Sequence, residues 1–168
     1  MKKEDLYKPD ILKKFARDKR QENKSYFAKL KKRRPSDLDD IVHNLHYEAF
    51  EEIDCLKCAN CCKSISPIIT YKDIERIAKH LRQKPSVIIE QYFVIDEDDD
   101  YVFKKTPCPF LMDDNMCLIY ESRPKACKEY PHTDRKRFYQ ILNITLKNIE
   151  VCPVVYKVVE GIKQSKKL

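Results

Sequence analysis

The chain has 168 residues, 34 Lys or Arg against 27 Asp or Glu for a formal net charge of +7, eight cysteines and a single glycine, Gly161. Rossmann fingerprints and phosphate-binding loops need several glycines so that backbone can approach a phosphate, which argues against nucleotide-dependent enzymes of those kinds and against methyltransferases with a glycine-rich cofactor loop. The length suits one ordinary domain with an appended arm, enough to bury a core of its own.

The chain begins MKKEDLYKPD without an apolar stretch of signal-peptide length, and no later segment approaches the ~20 apolar residues of a membrane span. A cytoplasmic location is therefore expected, where thiols stay reduced and a dense cysteine pattern points to metal or redox chemistry, not a disulfide framework.

Residues 1–34 hold 14 Lys or Arg against 5 Asp or Glu, net +9, leaving 20 against 22 in residues 35–168. This divides the chain into a basic helical arm, 1–34, and a cysteine-cluster metal-binding domain, 35–168. In the arm, Tyr7, Ile11, Leu12 and Phe15, then Tyr26, Phe27 and Leu30, fall at amphipathic helical spacing. The arm's charge suits an acidic partner or nucleic acid, but charge alone carries no site geometry, so a solvated face over an apolar stripe is the preferred reading.

Pro35 and Ser36 open the next helix, with Asp39 placed as in a capping box and Leu38, Ile41, Val42, Leu45, Ala49 and Ile53 as one stripe leading to Cys55. Thr70 and Asp73 repeat the cap signal before Ile74, Ile77, Ala78 and Leu81, and a short helix follows Pro85. Residues 101–104 and 118–120 read as two strands of a small hairpin around an irregular loop. Arg123 and Pro124 start a brief helix through Cys127 that must stop before Pro131, because the residue preceding proline is pushed out of the helical region. Residues 135–149 are ambiguous between helix and strand. Val154, Val155, Val158, Val159 and Ile162 mark a last helix. The expected fold is mainly α with a small β-hairpin, a cysteine-rich single domain clasped by metal.

The segment CLKCANCC, residues 55–62, places half of the cysteines within eight positions. Cys55, Cys58 and Cys61 follow one another at the spacing with which a looping backbone aims successive thiolates at one centre. Cys62 is vicinal to Cys61, and closing both on one metal requires a strained small ring, so one of the pair serves another site, bridges, or supports the ligands. Cys108, Cys117, Cys127 and Cys152 complete eight thiols, enough for two four-cysteine sites or for one site plus structural thiols. An unbroken CxxCxxC completed by a remote Cys-Pro, here Cys152-Pro153 or Cys108-Pro109, is how bacterial ferredoxins hold an iron–sulfur cluster, and this tilts the first site toward iron–sulfur over zinc. The spacings of a second set, Cys62, Cys108, Cys117 and Cys127, single out no metal.

CLKCANCC together with CPFL (108–111), CLIY (117–120), RPKACKEYP (123–131) and the final CP (152–153) resembles the YkgJ-type cysteine-cluster family, the CxxCxxCC zinc- or iron-chelating domain. The resemblance spans residues 55–153 and implies a small metal-binding domain. It also extends to a cysteine-rich region of flagellin lysine methylases. The family commonly has glycine in the pair before its CC and in the turn before CxIY, where this chain has Ala59-Asn60 and Asn115. Asparagine tolerates left-handed backbone best among ordinary residues, so both turns are expected to survive.

Beyond the thiols, Arg123 suits hydrogen bonds to ligand sulfurs or an anion, or equally a pin for its own loop through carbonyls. Tyr120 and Tyr130 flank Cys127 and either shield a cluster or pack in the core. His43 and His46 on the helix before Cys55, and His132, are weak candidate ligands, and the run 96–100 of carboxylates reads as a solvated turn. No nucleophile with a positioned base and no paired carboxylates stand in a recognisable frame. The sequence therefore leads to a protein holding zinc or iron, a 4Fe–4S cluster among the candidates, at one or two sites with a structural or electron-transfer role. The alternative is a cluster-dependent enzyme or maturation factor with an open coordination position.

Overall fold

The structure, a computed structural model, describes residues 3–165 and is mainly helical with one two-stranded antiparallel hairpin. After a 3-10 turn at Lys3–Tyr7, the helices run α1 (Pro9–Asp18), α2 (Arg20–Arg33), α3 (Leu38–Glu52), α4 (Cys55–Cys58), α5 (Asn60–Ser64), α6 (Tyr71–Leu81) and α7 (Pro85–Tyr92). The hairpin β1 (Phe93–Ile95) and β2 (Tyr101–Phe103) follows, then α8 (Lys125–Glu129), α9 (Leu142–Asn148) and α10 (Pro153–Gln164). Pro9, Pro85 and Pro153 each open a helix, the position where a missing N–H costs nothing. Among the described residues no helix is long and apolar enough to cross a membrane.

The chain forms two compact units, one of residues 1–55 with 131–168 and the other of residues 56–130. In the first, α10 packs on α3, and α2 packs on α9. The β-branched stripe of α10 is fully committed: Val154, Val155, Val158, Val159 and Ile162 are all buried. At ~1.5–3 kcal/mol per buried aliphatic side chain, that face outweighs the modest helix propensity of valine. Gly161 serves this packing and no phosphate, for a Cβ there would stand 2.6 Å from Leu45 Cδ2. The basic arm belongs to the same unit. Leu12, Ala16, Phe27 and Leu30 are buried, Arg17 and Arg20 pair with Glu150, Lys19 pairs with Glu160, and Glu22 pairs with Lys163.

The helix expected from Ser36 starts instead at Leu38, with no side-chain cap. Asp39 is drawn away by stronger demand. Its carboxylate accepts the backbone N–H groups of Arg137 at 2.6 Å and Phe138 at 2.9 Å, fixing the turn before α9, and residues 135–149 resolve as a 3-10 turn and helix.

In the second unit the core is Ile69, Ile74, Ile77, Ala78, Ile88, Phe93, Phe103, Phe110 and Ile119. The expected Thr70–Asp73 capping box is complete at the start of α6. The expected hairpin needs correction. Tyr101–Phe103 is a strand, but its partner is Phe93–Ile95, in register Phe93 to Phe103, and residues 118–120 are not a strand. The acidic run explains the choice: Asp96 Oδ1 accepts the N–H of Asp98 and of Asp100, both at 3.0 Å, and closes a local turn whose loop-closure cost is small. Residues 118–120 are consumed by the turn around Cys117, where the Tyr120 N–H reaches the Cys117 carbonyl at 3.1 Å.

Candidate metal centre

Six cysteines lie in the second unit, on elements too short to hold shape alone: Cys58 ends α4, Cys61 and Cys62 sit in α5, Cys127 in α8, and Cys108 and Cys117 in loops. The turn joining α4 to α5 is made by Ala59, at φ 47°, and not by Asn60, which begins α5 and is buried. The other anticipated left-handed residue is where it was expected: Asn115 has φ 64°, and its Nδ2 donates to the Leu56 carbonyl at 2.6 Å, tying the 112–116 turn to the first cysteine loop.

Cys62, Cys108, Cys117 and Cys127 are brought together. The Cys108 N–H donates to the Cys62 carbonyl at 2.8 Å, Cys117 forms a β-bridge with Leu111, and Cys62 lies near enough that a thiolate there would disfavour ionisation of Cys108, Cys117 and Cys127. Their electrostatics differ by cause. Burial pushes the Cys127 thiol up to about 12, reinforced by the neighbouring Cys62, Cys108 and Cys117. Burial also pushes Cys108 up to about 11, although the N–H groups of Phe110 and Leu111 point at its sulfur and favour thiolate. Cys117 is likewise raised by burial, against the Ile119 N–H and the charge of Arg123. Cys58 is raised by burial too. Of the four thiols brought together, Cys62 moves down, to about 7, because the Cys61 sulfur 4.0 Å away hydrogen-bonds it, with Lys63 adding positive charge.

The arrangement of these thiols is a gathering and not a cage. Among the described residues no three His, Cys, Asp or Glu side chains stand around one point ready to hold an ion. Raised thiols keep their protons, and only a cation that displaces those protons converts neighbours into ligands.

Arg123 lies over the Tyr120 ring, 3.8 Å from its centroid, and its Nη1 donates to the Tyr120 carbonyl at 3.0 Å. Its charge favours thiolate at both Cys117 and Cys127. Tyr120 is more than half exposed, whereas Tyr130, just after α8, is partly buried. In the first unit, Cys55 is exposed at the start of α4, and Cys152 is buried at the N-terminus of α10. His46 Nδ1 is 2.7 Å from Thr133 Oγ1, and burial lowers its imidazole. His132 takes φ 65° after Pro131.

Sequence reasoning missed a pair that supports α8. Asp73, 1% exposed, does more than cap α6: its Oδ1 accepts the Lys125 N–H at 3.0 Å and pairs with Arg76. Arg76 in turn donates to the carbonyls of Ser122 at 3.3 Å and Arg123 at 2.7 Å. Burial alone would raise the Asp73 carboxyl, but the hydrogen bonds from Thr70, Arg76 and Lys125 together hold it below its ordinary value. The available signal was an arginine one turn after a capping aspartate, which an isolated cap does not require.

Compared with known proteins, residues 54–152 match the family model CxxCxxCC, described as "Putative zinc- or iron-chelating domain". No curated protein and no solved structure matches the chain.

Proposed function

The chain belongs to the CxxCxxCC zinc- or iron-chelating family, and on that premise we propose that it holds its metal through Cys62, Cys108, Cys117 and Cys127, in a structural or electron-transfer role. The observation that carries this reading is the convergence of these four thiols, with the Cys108 N–H on the Cys62 carbonyl at 2.8 Å and backbone N–H groups directed at the sulfurs of Cys108 and Cys117. Such donors stabilise thiolate without adding net charge, which is what a four-sulfur site requires of its surroundings. Four thiolates saturate a tetrahedral ion and leave no position for substrate, so binding and not catalysis is the expected activity. Cys62, the member of the set whose value is lowered, to about 7, is the natural first ligand; the three raised thiols lose their protons as the ion closes the site. Arg123 and Tyr120 then act as cover and charge compensation beside Cys117 and Cys127.

The test is metal and acid-labile sulfide content with an absorption spectrum, on full-length protein purified without oxygen. About one zinc or one iron per chain without sulfide supports the four-thiolate centre; a second equivalent has to use thiols outside that set. About four iron and four sulfide with a broad visible band instead establishes a cluster and replaces the mononuclear site. Protein that takes up no metal under any of these conditions overturns the reading.

A further inference from the structure

We infer that Asp73 and Arg76 are positioning residues for Cys127, holding the 123–127 segment in its ligating conformation; this rests on the reading of Cys127 as a ligand. The division of labour within the pair points to it. Oδ2 of Asp73 takes the Thr70 N–H at 2.9 Å and the Thr70 hydroxyl at 2.6 Å, which completes the cap of α6. Oδ1 is not needed for that cap and is given to the Lys125 N–H, at the first residue of α8. Arg76 divides likewise, pairing with Asp73 on its own helix while reaching the carbonyls of Ser122 and Arg123. Three backbone groups just ahead of Cys127 are thus fixed from α6. A five-residue helix has too few internal hydrogen bonds to set its own direction, so its orientation has to come from outside. α6 supplies it from a face anchored by the buried Ile74, Ile77 and Ala78.

The experiment uses full-length protein stripped of metal and titrated with Co(II), whose thiolate charge-transfer band reports how many sulfurs bind, in competition with a chelator. Cys127→Ser sets the spectrum of a site lacking that thiolate. Arg76→Met is expected to lower the band toward that reference and to weaken Co(II) binding by about 10–100-fold, the range for groups that orient ligands. Arg76→Lys, which keeps the charge but not the fork, should recover part of both. Thr70→Ala removes the cap bonds, including the hydroxyl on Oδ2 of Asp73, but leaves Oδ1 on the Lys125 N–H and Arg76 on its two carbonyls, so it should lower Tm while leaving spectrum and affinity at wild-type values. The inference is overturned if Arg76→Met matches wild type, or if Thr70→Ala weakens binding as much as Arg76→Met. If Arg76→Met does not fold, a wild-type spectrum and affinity in Arg76→Lys overturns it. A wild-type chain that forms no Co(II)–thiolate band defeats the proposed function and this inference together. Loss of the band in Cys127→Ser with none in the Arg76 variants defeats this inference alone.

Discussion

The two units solve the same problem by different means. Residues 1–55 with 131–168 bury a continuous aliphatic face on long helices, with α10 contributing seven buried residues. Residues 56–130 have an apolar core at α6, α7 and the hairpin, but their cysteine-bearing elements are only four or five residues long, and Leu56, Met112, Met116, Leu118 and Tyr120 stay exposed around them. The contrast teaches that a helix held by packing needs nothing further, whereas loops that gather thiols depend on what the thiols bind.

Metal removal should widen that contrast most. In hydrogen exchange of chelated protein, amides of residues 56–130 are expected to lose protection while those of α3 and α10 keep theirs. The stability at stake is bounded by the on-the-order-of 10 kcal/mol that a structural zinc supplies to small domains, and the existing core reduces it. Cys108→Ser should reproduce the pattern in protein purified with metal. Equal loss in both units would erase the distinction.

The converse perturbation is Ile162→Ala, which removes a fully buried side chain from α10. Denaturant unfolding should show a loss of ~2–5 kcal/mol with metal content per chain unchanged. A parallel fall in metal content would mean that the units are not energetically separate.

Alkali should sharpen the comparison in metal-free protein. Cys108 and Cys127 have folded values of about 11 and about 12, above the ~8.5 of an unfolded thiol. A raised value contributes stability below ~pH 8.5 that is lost as pH rises through the folded value, because the unfolded chain releases protons that the folded chain retains. Metal-free protein should therefore weaken progressively above ~pH 8.5, and loaded protein, whose thiols are already deprotonated, should not. Identical pH profiles would contradict the burial of these thiols.

Ala59→Gly tests the backbone of the first loop. Left-handed alanine costs ~1–2 kcal/mol, part of which glycine returns as unfolded-state entropy, so a gain of about 1 kcal/mol is expected by thermal unfolding. A loss would show that Ala59 does not hold that conformation. The smallest effect belongs to Arg20→Ala, which breaks an exposed pair with Glu150 and should cost below about 1 kcal/mol, diminishing further in high salt.

The sequence by itself determined several features governed by local chemistry. The α6 cap, the proline-initiated helices, the α10 stripe and the left-handed Asn115 follow from residues within a turn of one another, and the cysteine spacing with the RPKAC block identified the metal-binding class. Grouping Cys62 with Cys108, Cys117 and Cys127 was among the alternatives that spacing left open, and the separation of Cys62 from its neighbour Cys61 could be argued only from the geometry of a vicinal pair. Tertiary structure decided what depends on competition between distant partners. Asp39 abandons its expected cap because two N–H groups near residue 138 offer stronger bonds. Residues 118–120 forgo the hairpin because Phe93–Ile95 is nearer in sequence and the Asp96 turn closes at less entropic cost. Asp73 and Arg76 reach the Cys127 segment from about fifty residues away, a pairing that no local pattern encodes because each is already accounted for within its own helix.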